Sequence, residues 1–316
     1  MSDVLVVNLE RERLKQYKQN YVKKIECGNV TEIVKLRNKP KEIPVVKIDA
    51  DHYYCKSDIN VDTGEVEVKE YNHGENKKDN IQSVKRSLTK LRRIINTNIS
   101  GVECKNLRWV TLLYKENMTD YKRLYSDFDK FNKRFKYYCK KNNLEVPEYI
   151  AVCEPQCRGA WHMHILYIYK SAAPFIDNNT VFAPLWGHGF TKIKQPKGNI
   201  DNLGAYFSVY LSDLDVTDEE NNKNAITKIN SEGKEKRIKK GERLKMYPLG
   251  MNIYRCSKGI KKPIITEVSP KEYKNDNMGT LTYECGCLIY DNNGKELNVI
   301  VHEYYNKKRT EKSCYK

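Results

Sequence analysis

Apolar residues recur along this chain in two rhythms, and the alternation between them predicts an α+β fold. Ile81, Val84, Leu88, Leu91, Ile94 and Ile95 fall at helical intervals, so a helix beginning near Asn80 has one apolar face, with lysine and arginine on the others. That basic face has two readings, a solvated surface or a contact with backbone phosphates. Leu107 to Tyr114 is short, β-branched and aromatic, the composition of a buried strand. From Thr119 to Asn142 the helical rhythm returns in Tyr121, Leu124, Tyr125, Phe128, Phe131, Phe135 and Tyr138, with Thr119 or Asn117 as the expected cap and lysines in the last turns. Tyr149 to Cys153 and Trp161 to Tyr169 then read as a hairpin turning near Arg158-Gly159-Ala160. A loop around Trp186-Gly187-His188-Gly189-Phe190, a strand from Thr191 to Ile193 and a turn at Pro196 to Gly198 lead to a helix containing Tyr206 and Tyr210.

The flanking segments are less legible. Residues 1–80 mix charges with scattered valine, isoleucine and tyrosine, and Asp62-Thr63-Gly64-Glu65 is a hairpin-turn signal; this stretch reads as an N-terminal extension of no assigned role. Residues 81–270 form the expected central domain, interrupted at 215–245 by an apolar-poor run, acidic first and basic later, expected to be exposed and mobile. Its basic half is a candidate DNA contact. Residues 271–316 carry two alternating segments joined by Asp291-Asn292-Asn293-Gly294, a C-terminal β-hairpin appendage.

Charge narrows the partner. Lys and Arg number 57 against 41 Asp and Glu in 316 residues, a formal net charge of +16, which favours a polyanion such as nucleic acid. No run of about 18 apolar residues suits a membrane span, and the charged N-terminal segment does not resemble a secretory signal, so the expected location is cytoplasmic. In that compartment the cysteines are expected as free thiols. Neither Cys153 with Cys157 nor Cys285 with Cys287 has the spacing of a zinc ribbon.

The chemistry concentrates in one strand. His162 and His164 are two apart, so on a strand both imidazoles share a face while Met163 points the other way, and Glu154 lies eight residues earlier on the partner strand. Two imidazoles and a carboxylate make a three-ligand site with open positions, suited to Mg²⁺ or Mn²⁺. Tyr206 and Tyr210 stand one helical turn apart and are candidate nucleophiles. His188 is either a further ligand or a loop residue, and Trp161 and Trp186 either stack on unpaired bases or pack in the core.

A strand with Thr111, then Glu154 and His162-Met163-His164, then a helix bearing Tyr206 and Tyr210, resembles the HUH endonuclease superfamily, specifically the rolling-circle replication initiators of small plasmids and single-stranded DNA phages. The resemblance runs from the helix near Asn80 to Gly259. It implies a central antiparallel sheet of about five strands flanked by helices, a sandwich related to the RNA-recognition fold, with the histidine strand central and the tyrosine helix over the metal. Two positions depart from the pattern: Thr111-Leu112-Leu113 stands where relatives often have Thr-Leu-Thr, and Val209 stands where many have lysine. Lys192, Lys194 or Lys197 would then act from the preceding segment, with Arg158 as a further DNA contact.

The activity implied is nicking and strand transfer through a 5′-phosphotyrosyl intermediate and a free 3′-hydroxyl on single-stranded or supercoiled origin DNA. Tyr206 is the first choice of nucleophile and Tyr210 the alternate or partner. No G-x4-G-K-[ST] motif is present, so a host helicase and DNA polymerase are the expected partners. Competing readings are a noncatalytic origin-binding protein, a relaxase or transposase of the same superfamily, and a zinc module built on Cys153 or Cys157.

Overall fold

The computed structural model describes residues 5–9, 13, 16–39, 45–47, 53–55, 77–196, 203–215, 226–229, 235–290 and 293–309. In chain order come strands β1 (Leu5–Leu9), β2 (Tyr21–Cys27), β3 (Val30–Leu36), β4 (Val45–Lys47) and β5 (Tyr53–Cys55), then helix α1 (Lys77–Ile99). Strand β6 (Leu107–Leu112), helix α2 (Tyr121–Lys141), strands β7 (Glu148–Pro155) and β8 (Trp161–Ile168), the single-turn helix α3 (Ala183–Trp186), strand β9 (Thr191–Lys194) and helix α4 (Leu203–Ser212) follow. The remainder is strand: β10 (Leu214–Asp215), β11 (Ile226–Ile229), β12 (Glu235–Lys239), β13 (Tyr254–Cys256), β14 (Ile264–Val268), β15 (Thr280–Tyr290) and β16 (Glu296–Asn306).

The fold is α+β, and its centre is an antiparallel five-stranded sheet in the order β13-β7-β8-β6-β9, which puts the histidine strand β8 in the middle. Strand alternation gives this sheet two different faces. On one, Tyr149 and Tyr167 meet Phe128 and Phe135 of α2 at ring separations of 5.5 and 5.0 Å. On the other, Trp109 of β6 stacks on Phe207 of α4 at 4.0 Å, so the tyrosine helix covers the face that carries His164. Helix α1 packs through Val84, Leu88, Leu91, Ile95 and Ile99, all buried in the same core. Trp161 and Trp186 are core residues: both are buried, and their indole N–H groups donate to the carbonyls of Thr119 (2.9 Å) and Leu113 (2.8 Å).

Local boundaries differ from the sequence reading in two places. Asp120, not Thr119 or Asn117, caps α2, its carboxylate accepting from the Lys122 N–H at 2.8 Å. The segment before His188 is not plain loop: Asp177 caps a π-helical turn, Asn178–Phe182, that runs directly into α3. Lys197 and Gly198 of the expected turn, the signal at Asp62 to Glu65, and Asp291 and Asn292 of the C-terminal turn lie outside the described residues.

The terminal segments meet in a second sheet, ordered β1-β15-β16-β3-β2-β14, in which the C-terminal hairpin is flanked on both sides by N-terminal strands. Two buried contacts tie this sheet to α1. Glu32, 2 % exposed, pairs with Arg92 (2.8 Å) and Arg93 (2.7 Å), so part of the basic face of α1 is spent on an internal ion cluster, while Lys85, Arg86 and Lys90 stay exposed. Gly28 turns the β2–β3 hairpin at φ 66, and a Cβ there would lie 2.3 Å from the Ser100 Cβ, so only glycine lets the hairpin press against the end of α1. Within 215–245 the described residues form a small antiparallel sheet, β10-β12-β11, where the sequence shows only a charged run.

Candidate metal centre

Register on the central sheet brings the candidate ligands together. Glu154 of β7 lies opposite His162 of β8, and Val152 opposite His164, so Glu154 and both histidines occupy one face. Glu154, His162 and His164 each offer a ligand atom within 4.8 Å of the other two, and no other such group of three occurs among the described residues. The His164 Nε2 is 2.6 Å from Glu154 Oε2, and the His162 Nδ1 is 3.9 Å from the same oxygen. Thr111, opposite His164 on β6, holds the other ring nitrogen, Nδ1, at 3.1 Å. With both ring nitrogens engaged by fixed partners, the orientation of His164 is set by the strands themselves.

Burial sets the protonation state. It pushes His162 down to about 4, helped by the nearby charges of His164 and Arg158, and pushes His164 down to about 4 as well. The Glu154 carboxylate opposes this shift on His164, but the Arg243 guanidinium pairs with Glu154 Oε1 and offsets most of that pull. Both imidazoles are therefore neutral at physiological pH, the form in which nitrogen lone pairs bind metals. Two neutral imidazoles and one ionised carboxylate on a rigid sheet fit a divalent cation.

The same shifts make stability depend on pH. Between about 6.5 and about 4 the unfolded chain binds more protons than the folded one, so this stability is fully present above the window and falls as pH drops through it. In EDTA, urea midpoints measured from about pH 7 to about pH 4.5 are expected to fall more steeply for the wild-type chain than for His162→Gln, which no longer titrates there. Parallel slopes would contradict neutral imidazoles.

Helix α4 is docked beside this centre by residues other than its tyrosines. Gly204 lets the helix approach α1, where a Cβ would come 2.4 Å from the Arg92 carbonyl, and its N–H donates to Asn96 Oδ1 at 3.0 Å. Phe207 and Leu211 are buried, and Trp109 stacks on Phe207 at 4.0 Å and on the His164 ring at 5.3 Å. Tyr206 and Tyr210 occupy successive turns of this helix. The cations expected to face DNA border the same area. Lys192 and Lys194 on edge strand β9 lie opposite Thr111 and Trp109, hence on the histidine face, and are exposed; Arg158 is exposed at the β7–β8 turn; Lys197 lies outside the described residues.

Two candidates belong elsewhere. His188 is 3.6 Å from the buried Asp127 and packs on Trp186, outside the ligand cluster. Cys153 points to the α2 face, and burial raises its thiol to about 12, while Cys157 is exposed; neither joins a metal-ligand group. The residue that sequence reasoning missed is Arg243. It was part of the basic half of the 215–245 run that was expected to be exposed, yet it is 4 % exposed and paired with Glu154. The available signal was local: Gly241 ahead of it, with Leu244 and Tyr247 as apolar anchors, marks a buried turn rather than a solvated one.

No described helix is long and apolar enough to cross a membrane. No curated protein and no solved structure matches the chain. Residues 107–215, which span the Thr111 strand, the Glu154–His162–His164 cluster and the tyrosine helix, match the family model described as replication-associated protein ORF2, and this match supports a role in replication initiation.

Proposed function

We propose that this chain is a rolling-circle replication initiator of the HUH endonuclease type, a metal-dependent, site-specific nickase and strand transferase for single-stranded DNA. The observation that carries the reading is the convergence of Glu154, His162 and His164 on adjacent central strands beneath a helix bearing two tyrosines. A bound Mg²⁺ or Mn²⁺ would supply Lewis-acid polarisation of the scissile phosphate. His162, His164 and Glu154 hold that cation, and Thr111 fixes the orientation of His164. Lys192 and Lys194, with Lys197 and Arg158, hold backbone phosphates along the edge of the sheet.

Tyr206 is the nucleophile. Its phenol oxygen attacks phosphorus, a P–O bond to tyrosine forms, the P–O3′ bond breaks, and the departing 3′ oxygen takes up a proton. The product is a 5′-phosphotyrosyl link that keeps the phosphodiester energy available for a later strand transfer, with Tyr210 as the alternate or second nucleophile. The free 3′ end is a primer for a host polymerase, and unwinding falls to a host helicase. Residues 81–270 are the proposed nicking unit, with 1–80 and 271–316 as appendages.

Incubation with end-labelled single strands from the replicon that carries the gene, in Mn²⁺ or in EDTA, followed by denaturing electrophoresis, is expected to show a covalent adduct only with metal. Tight binding without an adduct on any strand would replace this reading with a noncatalytic origin-binding protein.

A further inference from the structure

Arg243 lies beyond the residues that match the replication-protein family, yet its guanidinium pairs with a proposed metal ligand. Glu154 is 1 % exposed and Arg243 4 %, so each is the main charge compensation for the other in a site from which water is largely excluded. The two carboxylate oxygens are divided between partners: Oε1 faces Arg243, and Oε2 faces His164 at 2.6 Å and His162 at 3.9 Å. Arg243 is also a fixed charge. It stands on a 3-10 turn, Glu242–Met246, entered through Gly241 at φ 70 and anchored by the buried Leu244 and Tyr247. The Tyr247 hydroxyl donates toward the Cys153 carbonyl (3.2 Å) and the Leu211 carbonyl (3.4 Å), joining the metal strand to the end of the tyrosine helix, and Asn80 Nδ2 donates to the Tyr247 carbonyl at 2.7 Å.

We propose that Arg243 is an internal counter-cation that competes electrostatically with the divalent cation for Glu154, so that the DNA-free chain holds metal weakly. This rests on the reading of Glu154, His162 and His164 as a divalent-cation site. With both imidazoles neutral, Glu154 and Arg243 sum to zero charge, so an entering cation meets a neutral site with a fixed positive neighbour instead of an anionic one. A phosphodiester brings negative charge back and raises metal affinity, and by linkage the metal raises affinity for the phosphodiester to the same extent. Metal and DNA then load together, which keeps the nuclease quiet off its substrate.

Mn²⁺ titration of the DNA-free protein, followed by electron paramagnetic resonance, tests this without any activity readout. Arg243→Gln is expected to bind Mn²⁺ at least about tenfold more tightly than wild type, and Arg243→Lys, which keeps the charge, within about threefold of it. A single-stranded oligonucleotide is expected to tighten Mn²⁺ binding to wild type more than to Arg243→Gln. Equal or weaker Mn²⁺ binding by Arg243→Gln overturns the competition. If that variant unfolds without metal, folding restored by Mn²⁺ supports the proposal, and failure to fold at saturating Mn²⁺ overturns it. Specific Mn²⁺ binding by none of the three proteins sinks the metal-site reading itself.

Discussion

Tyr206→Phe is expected to lower the rate of covalent protein–DNA adduct formation at least about a thousand-fold, because it removes the one oxygen that would form the bond to phosphorus and leaves an inert ring. Phenylalanine keeps the bulk of tyrosine, and the docking of α4 rests on Gly204, Phe207 and Leu211, so the variant should fold and bind metal as wild type does. An unperturbed phenol, with a pKa of about 10, is almost wholly protonated at neutral pH, and a nearby divalent cation favours the phenolate. A parallel Tyr210→Phe variant separates the roles. Loss of the adduct only in Tyr210→Phe would move the nucleophile one turn along the helix. Loss in neither variant nor in the double variant, with nicking intact, would remove tyrosine from the mechanism.

What the sequence made legible follows from the range of the physical signal. The apolar periodicities of α1 and α2, the hairpin of β7 and β8, and the shared face of His162 and His164 are local patterns, and the structure places them within a few residues of where periodicity put them. The clustering of Glu154 with the histidines was legible for the same reason, since a hairpin of known turn fixes its own register. The second sheet was not. Strands β2 and β3 pair with β16 across more than two hundred residues, and nothing in their own composition names that partner. Glu32 shows the limit most plainly. As a glutamate in a charged N-terminal segment it reads as solvated, and only the fold reveals it as the buried partner of Arg92 and Arg93. Arg243 is the same case at the centre of the site, a charge whose burial depends on strands ninety residues away.

Glu154→Gln is expected to cost about 3–5 kcal/mol of folding stability in EDTA, because it leaves the Arg243 guanidinium buried without its anion. The same substitution removes the only anionic ligand of the cluster, so specific Mn²⁺ binding should disappear with it. Those two effects have separate causes, and a double variant parts them. Glu154→Gln with Arg243→Met replaces the ion pair by a neutral amide and an apolar chain of similar length, which should recover most of the lost stability, as replacing both members of a buried pair often does. Metal binding should stay lost, since the carboxylate is still absent. Urea unfolding in EDTA and Mn²⁺ titration on the three proteins read the two quantities independently. A Glu154→Gln variant as stable as wild type would mean that the pair is not desolvated. A double variant that still bound Mn²⁺ like wild type would place the metal somewhere other than on Glu154, His162 and His164.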